Sequence, residues 1–244
     1  MVSVTRPVIA QYFLIDDEGS RTWKVKFHDI PFDKLTRLYI AFAWIRESDG
    51  KLTYKNTTNK PTDAERISAL VKACRAANPF AEIYISSGYD EHGYMYHKAA
   101  ENPEGFAQSV VHFLRHHSLD GYDMDWENGL EGKMEELKEL LEATREALDD
   151  ASKEDGKPYG LTLATWETVD KYALDKIDKT KKVEPSNYAL AEIGKTVDAI
   201  NIMSYGEGRD LSAIVAEFSE AGFPVPKMIG GIETEKDYEK NLHP

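Results

Sequence analysis

The chain has 244 residues, 41% of them hydrophobic, and a formal net charge of −13 at pH 7. That length suits one large domain or two small ones. The acidity disfavours nucleic acid and anionic membranes as partners, and a neutral ligand fits better.

Taken in chain order, short apolar runs alternate with longer amphipathic stretches. Val8–Leu14 is the first candidate strand, Leu38–Ile45 the second and Glu82–Ser87 the third. Gly121–Glu127 is the fourth, Gly160–Trp166 the fifth, Ala199–Tyr205 the sixth and Lys227–Ile232 the seventh. Near-continuous apolar runs of this length mark strands covered on their outer face by helices. A helix is predicted from the capping pattern at Thr62 through Cys74, and a second after Pro103 through Val110, Phe113 and Leu114. Met134, Leu137, Leu140, Leu141 and Leu148 place an apolar stripe on a third. Leu211–Ala221 supplies another before the last strand.

Strands alternating with helical crossovers imply a parallel sheet with right-handed connections. Seven such units predict α/β architecture and a (β/α)8 TIM barrel whose eighth strand is missing from the pattern. The polar closing residues, Asp237–Pro244, read as the start of a helix. A barrel open at that point exposes the edges of its first and last strands, which invites self-association. No Pro/Ser-rich linker divides residues 1–244, so one domain is expected. The single cysteine, Cys74, sits in an apolar helical stretch, where burial is expected; alone it permits no intramolecular disulfide and no cysteine zinc cluster. Residues Met1–Arg6 lack a signal-peptide pattern, and the compartment stays open: secreted if a leader was removed, otherwise cytoplasmic.

The most informative segment is Asp120-Gly121-Tyr122-Asp123-Met124-Asp125-Trp126-Glu127. Strand side chains alternate faces, so Asp123, Asp125 and Glu127 share one face and Tyr122, Met124 and Trp126 the other. In a barrel the acids then point inward, with Glu127 nearest the C-terminal mouth, where barrel active sites lie. Crowded carboxylates spread their titrations and keep one of them protonated, as a general acid requires. A calcium loop starting at Asp123 needs glycine at 128 and an acid at 134, where Asn128 and Met134 stand, so no metal is expected there.

This segment closely resembles the signature of family 18 glycoside hydrolases, which include chitinases, endo-β-N-acetylglucosaminidases and chitinase-like lectins. Tyr39-Ile40-Ala41-Phe42-Ala43, Ser86-Ser87-Gly88 and Met203-Ser204-Tyr205 resemble the family's motifs on strands two, three and six. The resemblance covers about residues 8 to 233. It implies substrate-assisted retaining hydrolysis of β-1,4 bonds in N-acetylglucosamine polymers such as chitin, with no cofactor. Glu127 is implied as acid and base, Asp125 as holder of the substrate acetamido group, and Asp123 as its proton-sharing partner. Tyr205 is implied as a hydrogen-bond donor to the acetamido oxygen. Tyr12, Phe42, Ser86, Gly88, Trp166 and Met203 are the implied substrate-binding residues. An endo-β-N-acetylglucosaminidase acting on N-glycans, and a catalytically weak chitin-binding lectin or fragment, are the alternatives. The sequence departs from the family pattern at Tyr89, where a second glycine is usual, at Asn128 and Gly206, and in lacking a strand-eight tryptophan.

Trp44, Tyr89, Tyr94 and Tyr96 also lie where an aromatic could line a sugar subsite, with packing the more ordinary role. His112, His116 and His117 have metal-compatible spacing but no acid on their face, and read as a surface helix. Asn56-Thr57-Thr58 matches a glycosylation acceptor, and Asp175–Glu184 reads as a solvated stretch.

Overall fold

The computed structural model describes residues 8–15, 30–89, 92–175, 184–205 and 208–231. Seven strands pair in parallel in the order β1 (Ala10–Leu14), β2 (Arg37–Ile45), β4 (Glu82–Gly88), β5 (Gly121–Asp125), β6 (Gly160–Thr165), β7 (Ala199–Ile202) and β8 (Met228–Gly230). They are the seven predicted runs, five of them trimmed at their ends and β2 and β4 each one residue longer. β5 and β7 stop before Glu127 and Tyr205, which follow their strands instead of belonging to them. A two-residue strand, β3 (Leu52–Thr53), turns back on the end of β2 and pairs antiparallel with it. No periodicity announces so short a segment. Among the described residues no ladder joins β8 to β1, so the barrel-type sheet is open at that seam.

Helices occupy the crossovers: α1 (Asp63–Ala77), α2 (Met95–Ala100), α3 (Pro103–His117), α4 (Met134–Asp155), α5 (Leu190–Thr196) and α6 (Leu211–Glu220). α1 starts as its sequence predicts. Thr62 Oγ1 accepts from the Glu65 amide, and Glu65 Oε2 accepts from the Thr62 amide at 2.7 Å. α2 and α5 are too short for a helical stripe to show in the sequence. The outward residues of the sheet, among them Leu38, Ile83, Tyr122, Met124, Leu161 and Ile200, are fully buried in one core with Leu114, Leu137 and Leu141 of the helices. Cys74 is buried in that core too.

One device recurs at the strands' N-terminal ends. A polar residue just before a strand accepts from a backbone amide of the neighbouring strand. Thr36 takes Ile9 N at 2.8 Å, Asp120 takes Ile83 N at 2.8 Å and Asp198 takes Leu161 N at 2.8 Å. Each bond sets the register of a parallel pair, and register decides which side chains point inward. The N-terminal end of the sheet is thereby pinned, and the C-terminal end carries the candidate site.

Candidate active site

β5 sits between β4 and β6, and its alternate side chains enter the interior. Asp123 is fully buried there, and donors from four strands converge on it. Tyr12 Oη on β1 and Ser86 Oγ on β4 donate to Oδ2 at 2.9 and 2.7 Å. Thr162 Oγ1 on β6 and Asn201 Nδ2 on β7 donate to Oδ1 at 2.5 and 3.0 Å. Four donors match the lone-pair capacity of an ionised carboxylate. Burial nevertheless pushes Asp123 above the ordinary carboxylate range, and the four hydrogen bonds only offset part of that rise.

Asp125, two residues further along the strand, is 4% exposed, and Glu127 beyond it 9%. Tyr122 and Trp126 meet Tyr96 behind the sheet, through hydroxyls 3.2 Å apart and rings stacked at 5.1 Å, while Asp123 meets inward side chains, so the predicted division of faces holds along β5. The end of β4 braces this stretch. Gly88 has φ +119°, and a β carbon there would lie 1.8 Å from the Asp125 carbonyl oxygen. Tyr89 N then donates to that same oxygen at 3.1 Å. Tyr89 has φ +84°, so this tyrosine occupies the left-handed backbone region that glycine favours. The two serines diverge. Ser86 reaches Asp123, whereas Ser87 points outward to the Tyr122 hydroxyl at 2.7 Å.

Around the mouth, Tyr12 stacks on Tyr39 with ring centroids 4.5 Å apart. One edge of its ring is open, but burial of its hydroxyl, and then the Asp123 charge, raise the phenol well above its usual range. Phe42 is half-buried, 5.5 Å from the Tyr89 ring. Trp44 packs against His92. Trp166 is half-buried just past β6, and among the described residues its Nε1 is buried without a hydrogen-bond partner. Met203 follows β7, with its amide donating to Thr165 O at 2.8 Å, and Tyr205 is 45% exposed beside Gly231. The structure thus joins Tyr12 and Ser86 to Asp123 directly and Gly88 to the Asp125 backbone. It sets Phe42 in the C-terminal half of β2 and Trp166, Met203 and Tyr205 just past the C-terminal ends of β6 and β7, the end of the sheet at which Glu127 leaves β5.

Tyr96 lies behind the sheet, fully buried and stacked on Trp126 at 5.1 Å, which is the packing role expected of it. One reading needs correction. His117 is not on a solvated face. It continues the apolar stripe of α3, is 5% exposed, and its Nε2 lies 2.6 Å from the Tyr54 hydroxyl. Among the described residues no group of three or more His, Cys, Asp or Glu could hold a metal. Residues 176–183 and the polar tail from 232 onward lie outside the described residues.

Sequence reasoning missed Thr162, Asn201, Tyr39 and Tyr172. A signal existed for two of them: Thr162 stands between Leu161 and Leu163, and Asn201 between Ile200 and Ile202, each a lone polar residue facing inward. Tyr172, 1% exposed, accepts from the Trp166 amide at 3.1 Å. Burial raises its phenol, and the charges of Asp125 and Glu127 raise it further, so its hydroxyl lies within the field of both.

The parallel strands with helical crossovers make an open (β/α)-barrel sheet, with two carboxylates on β5 and a third just past its end. The chain matches the model of glycosyl hydrolases family 18 over residues 9–224, and it belongs to that family. It is 30% identical to an endochitinase of Brugia malayi over 182 residues, which is 72% of this chain and 34% of that protein. The class V chitinase of Nicotiana tobaccum, solved as a mutant with NAG4, superposes with a TM-score of 0.75 at 19% identity, covering 93% of this chain and 66% of that one. The chitinase-like agglutinin of Robinia pseudoacacia superposes with a TM-score of 0.72 at 19% identity, covering 91% and 68%. The chain therefore spans about a third of the length of that endochitinase and about two-thirds of these two solved chains.

Proposed function

We propose that the chain hydrolyses β-1,4 bonds within N-acetylglucosamine polymers, chitin or its oligosaccharides, by substrate-assisted retaining catalysis. The observation that carries this reading is the succession of buried carboxylates from the four-donor site of Asp123, through Asp125 at the end of β5, to Glu127 just past it. Family 18 is known for dispensing with a protein nucleophile. The Glu127 carboxyl gives its proton to the glycosidic oxygen as that bond to the anomeric carbon breaks. The carbonyl oxygen of the substrate's 2-acetamido group attacks the anomeric carbon and forms an oxazolinium ion. Asp125 holds the acetamido N–H through this step, and Tyr205 donates to the acetamido oxygen. Water then adds to the anomeric carbon as the bond from that carbon to the acetamido oxygen breaks and the acetamido group re-forms; the water's proton passes to Glu127, and the configuration is retained. Asp123 shares a proton with Asp125 and lets it turn toward Glu127. Tyr12, Phe42, Ser86, Gly88, Trp166 and Met203 shape the sugar site, with the aromatic rings offering stacking faces.

Chitotetraose digestion followed by mass spectrometry tests the reading. Glu127→Gln is expected to bind the oligomer as wild type does and to lose at least about 100-fold in kcat, the contribution of a positioned general acid. Near-normal hydrolysis by that variant would falsify the assignment. A second reading, a sugar-binding protein without turnover, is favoured by the agglutinin's likeness in fold. Calorimetric binding of chitotetraose by the wild type with no product formed would select it.

A further inference from the structure

The hydrogen bonds beneath Asp123 have a direction, and it is set from the far end of the barrel. Arg37, at the first position of β2, is 9% exposed. Its guanidinium pairs with Glu82 at 2.6 Å and lies 4.4 Å from the Tyr84 ring centroid. Its Nη1 donates to the Tyr39 hydroxyl oxygen at 3.1 Å. A guanidinium has donors and no acceptor, so the Tyr39 proton cannot point back at it. That proton goes to Asn201 Oδ1, 3.3 Å away. With its carbonyl end taken, the Asn201 amide must aim Nδ2 the other way, where it donates to Asp123 Oδ1 and to Tyr12 Oη, both at 3.0 Å. Tyr12 then has one proton to give, and it gives it to Asp123 Oδ2. Every dipole in the chain thus presents its positive end to the carboxylate.

We propose that Arg37 is a positioning residue for this reaction, acting through Tyr39 and Asn201 to keep both Asn201 Nδ2 and the Tyr12 hydroxyl donating to Asp123. The proposal rests on the functional reading above, in which Asp125 must carry a proton away from Asp123 and toward Glu127. The four oriented donors work against the rise that burial causes in Asp123 and so favour release of that proton. If the chain loses its direction, Asn201 or Tyr12 can turn an acceptor toward Asp123, and the proton stays there. The other charged or titratable groups around Asp123 are few. β1 presents Tyr12, whose phenol is raised chiefly by burial and by Asp123. β4 presents Tyr84, with Glu82 behind it, and β5 presents Asp125, while Tyr122 adjoins from the outer face. β6 and β7 offer the non-titrating Thr162 and Asn201, and β8 has no titratable side chain.

Three variants separate direction from mere packing. Arg37→Gln keeps a donor but adds an acceptor, Tyr39→Phe cuts the chain and keeps the ring stacked on Tyr12, and Arg37→Lys remains a donor-only cation. On chitotetraose, Arg37→Gln and Tyr39→Phe should lose about tenfold in kcat, the worth of one hydrogen bond to a charged group, with KM little changed. Their acid limb should move to higher pH, and Arg37→Lys should restore both. Glu127→Gln, assayed beside them, reports on the functional reading alone: if it retains turnover, that reading has failed. If it loses turnover while Arg37→Gln and Tyr39→Phe keep wild-type kcat and pH profile, the proposal is overturned. A measurement independent of turnover is the carboxyl 13C resonance of Asp123, assigned by its loss in Asp123→Asn. Its titration midpoint should rise in Arg37→Gln and Tyr39→Phe and return in Arg37→Lys. An unmoved midpoint in folded variants overturns the proposal whether or not the protein cleaves chitin.

Discussion

Replacing Gly88 by alanine tests how tightly the end of β4 is tied to the site. Two costs arise there. Alanine at φ +119° is strained by about 1–2 kcal/mol relative to a right-handed or extended backbone. Its β carbon would also stand 1.8 Å from the Asp125 carbonyl oxygen and 2.7 Å from the carbonyl carbon. Normal carbon–oxygen contact is about 3.3 Å, so the two strands must separate by more than 1 Å at that point. Overpacking of this sort costs about 1–3 kcal/mol more. The sum, about 3 kcal/mol, corresponds to a fall in Tm of about 10 °C for a chain of this size. Because the displaced atoms belong to Asp125 itself, kcat on chitotetraose should fall about 100-fold, the usual penalty for misplacing a reacting group by 1 Å. Gly156→Ala is the control. It too has positive φ, at +66°, but nothing lies within 4 Å of the added carbon, and it sits at the C-terminal end of α4. It should lower Tm by a few degrees and leave kcat alone. Scanning calorimetry and initial rates on the two variants decide the matter. A Gly88→Ala protein that melts like Gly156→Ala and turns over within threefold of wild type would refute the close approach of β4 to Asp125.

Two further outcomes are expected. Trp166→Phe removes a buried indole N–H with no partner among the described residues but keeps an aromatic face. If substrate satisfies that donor, KM should rise about fivefold with kcat unchanged, as one neutral hydrogen bond is worth about 1 kcal/mol; an unchanged KM contradicts the residue's placement in the sugar site. Burial, and then the neighbouring His116, lower His117 from 6.5 to about 4. Between those values the unfolded chain binds a proton that the folded chain refuses, so stability falls as pH drops from about 6.5 through about 4 and levels off below. Denaturant melts across that range should show the loss in wild type and a smaller one in His117→Gln; equal slopes would mean that the imidazole is solvated.

Much of the site was legible in one short segment. The alternation of Asp123, Asp125 and Glu127 with Tyr122, Met124 and Trp126 separates a polar from an apolar face by strand geometry alone, and β5 obeys it because both faces are buried. Glu127 shows where local reasoning stops. It lies past the ladder, whose last pairs are Gly88 with Asp125 and Leu163 with Met124, and no pattern along one strand records that limit. Trp166 and Tyr205 likewise fall just past their strands.

What the amino-acid order determined by itself was the periodicity of each element and the face on which each acid stands, because both follow from the local repeat of the backbone. What only tertiary structure decided was the company those acids keep. The donors to Asp123 come from residues 37 to 111 positions away along the chain, and the cation that orients two of them lies at the opposite end of the sheet. Such convergence depends on strand order and register, which arise from packing the whole sheet at once; the lone polar Thr162 and Asn201 announce an inward side chain but not the carboxylate that it meets.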